Sequence, residues 1–170
     1  KDPIGTKGAR LSTQISIAGR LLVYLPQDPH IGISQRIEDE TERELLRDKL
    51  TELKPEGETG GFIIRTVAET ASDAELSGDV SYLGKLWHDI RTRGATAPAP
   101  TLLYQDLSLA QRVLRDIVNA ETSRILVDSR ENFAKLQSFA AEYMPNVVDR
   151  IEHYTGARPL FDLYNVEEEI

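Results

Sequence analysis

The hydrophobic residues of this chain follow two spacings, one typical of strands and one typical of helices. Short apolar runs or alternating apolar positions predict six strands, over residues 11–16, 21–25, 62–64, 102–104, 125–127 and 151–154. Apolar residues three and four apart, most of them preceded by capping residues, predict four helices, over residues 39–54, 72–94, 108–118 and 131–144. Gly19 separates the first two strands and predicts a hairpin there.

The order of these elements predicts a fold that mixes helices and strands. After residue 100 strands and helices alternate, which indicates an α/β layer. The Ala/Pro-rich stretch 95–100 predicts a link between two subdomains, with the boundary shortly after it. The sequence begins at Lys1 and finishes with Val-Glu-Glu-Glu-Ile, which resembles the start of a helix. We therefore expect it to be a piece of a longer protein.

Composition restricts the classes of function. The 170 residues are 40% hydrophobic, which is enough for a core, and no apolar run approaches the roughly 18 residues that span a bilayer. The absence of cysteine excludes disulfides and thiolate metal sites, and suits a reducing cytoplasm. A net charge of −8 argues against nucleic-acid binding through a generally basic surface. Residues 1–25 nevertheless carry +3, so any contact with a polyanion is expected to be local.

The stretch around the third predicted strand offers two groups that bind phosphate. Gly60 and Gly61 precede the apolar residues 62–64, and Arg65 and Thr66 follow directly. A guanidinium presents a fork of donors that matches phosphate oxygens, and Thr66 adds a hydroxyl and a backbone N–H. The alternative is that Arg65 makes an ordinary ion pair at a strand end and Thr66 begins a loop. These residues alone favour that alternative.

No complete catalytic constellation is visible in the sequence. The chain lacks phosphate-loop and dinucleotide-binding glycine motifs, and no Ser or Cys nucleophile has a placed His. Its three histidines have no zinc-ligand spacing. Asp128 follows a predicted strand, where α/β proteins often place functional acids, but one carboxylate does not make a two-metal site. We expect Asp128 to cap the turn before Glu131 instead.

Motifs along the whole chain resemble the ribonuclease E/G family of endoribonucleases. The resemblance rests on these segments: Lys-Asp-Pro-Ile-Gly-Thr-Lys-Gly-Ala-Arg-Leu at 1–11, Val-Tyr-Leu-Pro at 23–26, Gly-Ile-Ser-Gln-Arg-Ile-Glu at 32–38, Gly-Gly-Phe-Ile-Ile-Arg-Thr at 60–66, Leu-Ala-Gln-Arg-Val-Leu-Arg-Asp at 109–116, Val-Asp-Ser-Arg at 127–130 and His-Tyr-Thr-Gly at 153–156. Gln35, where the E branch has a further arginine, favours the G branch.

The resemblance implies a layout in three parts. Residues 1–13 match the C-terminal edge of an RNA-binding barrel of the oligonucleotide/oligosaccharide type, and residues 14–108 match a sensor of the RNA 5′ end. Residues 109–170 match part of an RNase H-like subdomain. The implied fold class is therefore α/β, with an α+β sensor subdomain followed by a partial α/β subdomain. The catalytic aspartates that bind magnesium, and the cysteines that bind zinc between protomers, are expected beyond Ile170.

The resemblance also assigns roles to five residues. Arg65 and Thr66 match the residues that bind the terminal phosphate, and Val23 matches a backbone contact to it. Gly19 matches the residue beneath the terminal base, where a glycine would let a base lie on the peptide plane. Lys7, in Gly-Thr-Lys-Gly, matches a barrel lysine that contacts RNA.

The sequence is therefore compatible with two functions. The first is recognition of the 5′-monophosphate end of single-stranded RNA, in the cytoplasm, as part of an endoribonuclease that is a homo-oligomer at full length. This chain by itself would then hold no metal cofactor and cleave no RNA. The second is a self-contained phospho-ligand or protein-interaction module with no RNA role, which the acidic composition would suit.

Overall fold

The computed structural model describes residues 5–6, 8–9, 11–119 and 121–170. The chain divides into two compact units between Tyr104 and Gln105. Its strands are β1 (Ile17–Ala18), β2 (Leu22–Leu25), β3 (Ile31–Ile33), β4 (Gly61–Ile64), β5 (Ile125–Val127) and β6 (Ile151–His153). Its α-helices are α1 (Glu40–Leu53), α2 (Asp73–Thr96), α3 (Leu109–Ile117), α4 (Arg130–Tyr143), α5 (Leu160–Leu163) and α6 (Val166–Glu169). Short 3-10 helices occupy Thr66–Ala68 and Pro145–Arg150.

The first unit contains a mixed four-stranded sheet in the order β1-β2-β4-β3. β2 pairs antiparallel with β1 and β4, whereas β3 runs parallel to β4. Alternate residues of β2 and β4, such as Leu22 and Ile64, are fully buried, while Val23 and Ile63 between them are more exposed. One face of the sheet is therefore part of the core and the other is largely open.

Helices α1 and α2 supply the rest of this core. α1 begins at the N-cap Asp39, and α2 begins with a capping box formed by Ser72 and Glu75, as the sequence predicted. The buried residues come from both helices and from the inner face of the sheet: Leu22, Tyr24, Leu46, Leu50, Phe62, Ile64, Leu76, Val80 and Leu83.

One polar pair borders this core. The Tyr24 hydroxyl donates to Glu58 Oε1 at 2.7 Å, and the Gly60 N–H donates to the same oxygen at 2.8 Å. Burial acts to raise the pKa of Glu58, but these bonds outweigh it, so the pKa lies below its ordinary value. Burial and the same bond raise the pKa of Tyr24.

The second unit is a small βαβ arrangement. β5 and β6 are parallel, with Ile125 opposite Ile151, and α4 lies between them in the sequence. α3 begins with a capping box formed by Ser108 and Gln111. These elements share a hydrophobic core of their own, and its buried members are Leu114, Leu136, Ala140, Val147 and Ile151.

The structure confirms the predicted mixture of helices and sheets, with α+β character, and corrects several local predictions. Residues 11–16 and 102–104 form no strand, and Leu11 and Leu102 are exposed, because no neighbouring strand pairs with either segment. Residues 31–33, which were not among the predicted strands, form β3 because β4 offers them a parallel edge. The predicted cap Asp128 is wrong: Ser129 caps α4, accepting from the Asn132 N–H at 3.2 Å.

No helix within the part of the chain that the structure describes has the length and apolar character needed to cross a membrane.

Candidate functional site

Arg65 is fixed where β4 ends, with its guanidinium beneath the β1–β2 turn. Its backbone N–H donates to Leu21 O at 2.9 Å, which extends the pairing of β4 with β2 by one residue. Its Nη1 donates to Gly19 O at 2.7 Å and Arg20 O at 3.0 Å, so both hydrogens of that nitrogen are used. Among the described residues, no acceptor lies in hydrogen-bond geometry with Nε or Nη2. The edge of the guanidinium that recognises two oxygens side by side thus remains available.

The same turn is held from its other side by Asp79 of α2. Asp79 Oδ1 accepts from the Arg20 N–H at 3.0 Å, and Oδ2 accepts from the N–H groups of Leu21 and Leu22 at 2.9 and 2.8 Å. The residue is only 7% exposed. Successive backbone N–H groups that converge on one anion form a compact, strongly polar arrangement. This carboxylate therefore fixes the loop to which Arg65 is bound.

The Arg20 side chain extends the polar contacts of the turn toward the start of α2. Its Nη1 lies 3.2 Å from Glu75 Oε1. The hydrogen bonds from Ser72 in the capping box lower the pKa of Glu75, and Arg20 lowers it further. Arg20 is thus already paired with an anion of this chain.

Thr66 meets a serine from the loop that follows β3. The oxygens Thr66 Oγ1 and Ser34 Oγ are 3.2 Å apart, and the Ser34 N–H donates to Ile64 O at 2.8 Å. Ser34 Oγ also accepts from the Arg36 N–H at 3.3 Å. A shallow depression of about 370 Å³ includes both sides of this contact, and it is lined by Ser34, Arg36, Ile63, Ile64, Arg65, Thr66 and Val67.

The open face of the sheet continues from this depression as an apolar row. The register places Val23 opposite Ala18 on one side and Ile63 on the other, with Gly32 opposite Ile63. Ile63 is 36% exposed, and Val23 is partly exposed. Because residues two apart on a strand share a face, Arg65 leaves β4 on the side of Ile63. Arginine donors and an apolar surface therefore lie side by side.

The structure brings together four of the five residues assigned from the sequence. Arg65 contacts the carbonyl of Gly19, Thr66 is adjacent in sequence, and Val23 lies on the neighbouring strand. Lys7 lies outside the described residues. The roles of all five in binding RNA stay predictions.

The surroundings of Gly19 and Val23 in the structure differ from those that the sequence suggested. Gly19 is buried, and a Cβ at this position would lie 2.5 Å from Asp79 Oδ2, so a side chain there would have to displace the carboxylate. The backbone of Val23 lies inside the ladder between β1 and β4. The part of Val23 that reaches the open face in this structure is its side chain.

Sequence reasoning missed three residues of this arrangement: Ser34, Arg36 and Asp79. Ser34 and Arg36 follow β3, and β3 was not predicted because turn-forming residues lie within and around it. Asp79 did leave a signal, because it lies three residues after Leu76 and four before Leu83, on the face of α2 that the apolar pattern predicts to be buried. A carboxylate at such a position requires donors from elsewhere in the fold.

Metal ligands are not gathered at this site. Among the residues that the structure describes, no group of three or more His, Asp or Glu side chains could hold an ion. The guanidinium and hydroxyl donors gathered here are suited to binding an anion.

Comparison with known proteins agrees with the motifs. Residues 16–170 match the model of the ribonuclease E/G family. The chain is 49% identical over all 170 of its residues to Ribonuclease G of Escherichia coli K12 and 48% identical to Ribonuclease G of Salmonella typhimurium, and covers 34% of each relative. It is 36% identical over its full length to Ribonuclease E of Haemophilus influenzae, covering 18% of that protein. The chain thus spans about a third of the length of its ribonuclease G relatives, and it belongs to the ribonuclease E/G family.

Proposed function

We propose that the first unit recognises the 5′-monophosphate end of single-stranded RNA on behalf of an endoribonuclease. The observation that carries the proposal is the state of Arg65. One nitrogen of its guanidinium is fixed by two carbonyls, and its remaining donors have no acceptor among the described residues. An arginine held in this way has lost most of its rotational freedom before any ligand binds, so less entropy is lost on binding.

The chemistry of the ligand follows from the donors. A terminal monophosphate carries between one and two negative charges and three oxygens that accept hydrogen bonds. The Nε/Nη2 edge of Arg65 matches two of those oxygens, and the Thr66 hydroxyl suits a third. A 5′-hydroxyl end offers none of these acceptors. A triphosphate would need space for two further groups, so we expect it to bind less tightly than the monophosphate.

The apolar row beside Arg65 supports a nucleic-acid ligand over a small phosphorylated molecule. Packing a flat face of a base against an apolar surface contributes favourable binding free energy. The Val23–Ile63 pair provides such a surface next to the arginine. Recognition of both phosphate and base by one site would distinguish an RNA end from free phosphate. We retain Gly19, Val23 and Lys7 as RNA contacts in this proposal.

The activity proposed for the longer protein is endonucleolytic cleavage of RNA. Its dependence on magnesium, its zinc sites and its assembly as a homo-oligomer are part of the same proposal, which rests on family membership. The described residues of this chain do not fit either metal, so we expect the chain alone to leave RNA uncut. Membership of a ribonuclease family favours RNA over the self-contained module with no RNA role.

The test compares short single-stranded RNAs of one sequence with 5′-monophosphate, 5′-hydroxyl or 5′-triphosphate ends. Fluorescence anisotropy at constant salt should give the tightest binding for the monophosphate. Because the general attraction to the backbone is the same for all three RNAs, it cancels in the comparison. Equal affinities for the three ends would contradict the proposal, and release of products by the pure chain with magnesium would contradict the expected lack of cleavage.

A further inference from the structure

We infer that Asp79 is the positioning residue of this site, and that it orients Arg65 through two intervening peptide groups. The C=O of the Gly19–Arg20 peptide accepts from Arg65 Nη1, and the N–H of the same peptide donates to Asp79 Oδ1. The next peptide repeats the pattern, with Arg20 O bound to Arg65 and the Leu21 N–H bound to Asp79 Oδ2. This inference rests on the proposed function of Arg65.

The geometry of the peptide bond explains how the two side chains are linked. In a trans peptide the N–H and C=O point in opposite directions, so a carboxylate at one end and a guanidinium at the other lie on opposite sides of the chain. Each charge polarises the peptide between them and strengthens the hydrogen bond at the far end. We call this arrangement, formed by Asp79, the peptides 19–21 and Arg65, the clamp.

The clamp replaces a bond that the turn would otherwise make by itself. Gly19 and Leu22 are the pair that follows Ala18 and Val23 in the hairpin, and the Gly19 N–H donates to Leu22 O at 2.8 Å. The reciprocal bond is absent from this pair: the Leu22 N–H donates to Asp79, and Gly19 O accepts from Arg65. A hairpin closed by its own backbone would need neither side chain. Here the two side chains take the place of one backbone bond, and the carbonyl left over binds the arginine.

The position of Asp79 explains why its charge matters. An asparagine has nearly the same shape, but an NH₂ donor replaces one of the two carboxylate oxygens. Facing three N–H groups, the amide would place its oxygen against Leu21 and Leu22 and its NH₂ against the Arg20 N–H. The first peptide of the clamp would then lose its anchor, while the helix and the core keep their packing. Asp79 binds the N–H groups of the turn and Arg65 binds its carbonyls, so we expect a change at Asp79 to alter RNA-end preference through the orientation of Arg65.

The experiment uses Asp79→Asn, with Asp73→Asn as the matched control on the exposed first turn of the same helix. The measured quantity is the affinity ratio of 5′-monophosphate to 5′-hydroxyl RNA. Asp79→Asn should lower this ratio roughly fivefold, the effect of weakening one hydrogen bond, and Asp73→Asn should leave it unchanged. To distinguish positioning of Arg65 from a purely structural role, Asp79→Asn is repeated in an Arg65→Lys background. There it should change the affinity ratio by less than about twofold, because the guanidinium that it positions is already absent. An equal loss in both backgrounds would overturn the inference.

A second readout needs no RNA. In the unsubstituted chain the guanidinium of Arg65 should rotate slowly, so its Nη hydrogens should give separate NMR signals. Asp79→Asn should speed this rotation and broaden the signals. Unchanged signals would overturn the clamp even if the RNA preference holds, whereas a chain with no end preference but the expected signals would refute only the proposed function. Should Asp79→Asn not fold, Arg65→Lys tests the same link. Amide exchange at Arg20 and Leu21 should then accelerate severalfold, and unchanged exchange would overturn the inference.

Discussion

Replacement of Arg65 by lysine tests the site most directly, because it keeps the positive charge and removes the fork. In the structure the guanidinium performs two tasks at once: Nη1 holds two carbonyls at 2.7 and 3.0 Å, and the Nε/Nη2 edge is proposed to bind phosphate. Lysine has one nitrogen, which can serve the carbonyls or the phosphate but cannot do both in the same geometry. We therefore expect a loss of end recognition in a chain that still folds.

The magnitude follows from the bonds at stake. Loss of one charge-assisted hydrogen bond to a phosphate costs about 1.5–3 kcal/mol, which corresponds to roughly 10- to 150-fold weaker binding of the monophosphorylated end. The free energy of unfolding should fall by only about 1 kcal/mol, because the lysine ammonium can replace part of the contact with the Gly19 and Arg20 carbonyls. Arg91→Lys, at an exposed position of α2, is the matched control for a change of cation.

The assay is fluorescence anisotropy with 5′-monophosphate and 5′-hydroxyl RNAs at one ionic strength, accompanied by urea unfolding of each variant. The affinity ratio between the two RNAs removes the contribution of general electrostatic attraction. If Arg65→Lys retains the ratio of the original chain, Arg65 does not bind the phosphate and the proposed site is wrong. An equal reduction by Arg91→Lys would show that the ratio reports net charge only.

Three further substitutions, one of them with a matched control, test neighbouring contacts. Gly19→Ala should lower the free energy of unfolding by about 1–3 kcal/mol because its Cβ would meet a buried carboxylate at 2.5 Å, whereas Gly84→Ala, in open space on α2, should raise it by about 0.5–1 kcal/mol; urea titrations measure both. Ser34→Ala should weaken monophosphate binding roughly threefold with little change in stability. Tyr24→Phe should cost about 1 kcal/mol at pH 7, from the bond to Glu58.

The Tyr24→Phe difference should also depend on pH in a defined direction. The folded pKa of Glu58 is depressed, so its bond with Tyr24 contributes stability that is fully present above the unfolded carboxyl pKa of about 4.3. That contribution is lost as the pH falls through the lower folded pKa. Unfolding measured from pH 7 downward should show the two proteins converge in acid, and a constant difference would refute this origin.

Local patterns were sufficient for the helices. The N-caps Asp39 and Ser72 and the apolar spacing of Leu46 and Leu50 lie within a few residues of the elements they define. A helix makes its backbone hydrogen bonds within itself, so such nearby signals predict where it begins and ends. The four long helices were accordingly predicted within about two residues of their observed bounds.

Strands were less predictable because their hydrogen bonds require a partner. The alternating residues 11–16 had the correct period and no neighbour, whereas residues 31–33, interrupted by Gly32, became β3 beside β4. Pairing of this kind joins segments that are about 30 residues apart. Only the assembled sheet decides which apolar runs become strands.

The sequence by itself determined the chemical groups of the candidate site: an arginine and a threonine at the end of a buried strand, within motifs of the ribonuclease E/G family. The tertiary structure decided their state. Asp79 and Arg65 lie 57–59 and 45–46 residues from the turn atoms that they bind, and Ser34 lies 32 residues from Thr66. Contacts over such separations depend on how helix and sheet pack together, which no local pattern contains. That packing gives an arginine with one nitrogen fixed and a donor edge still available.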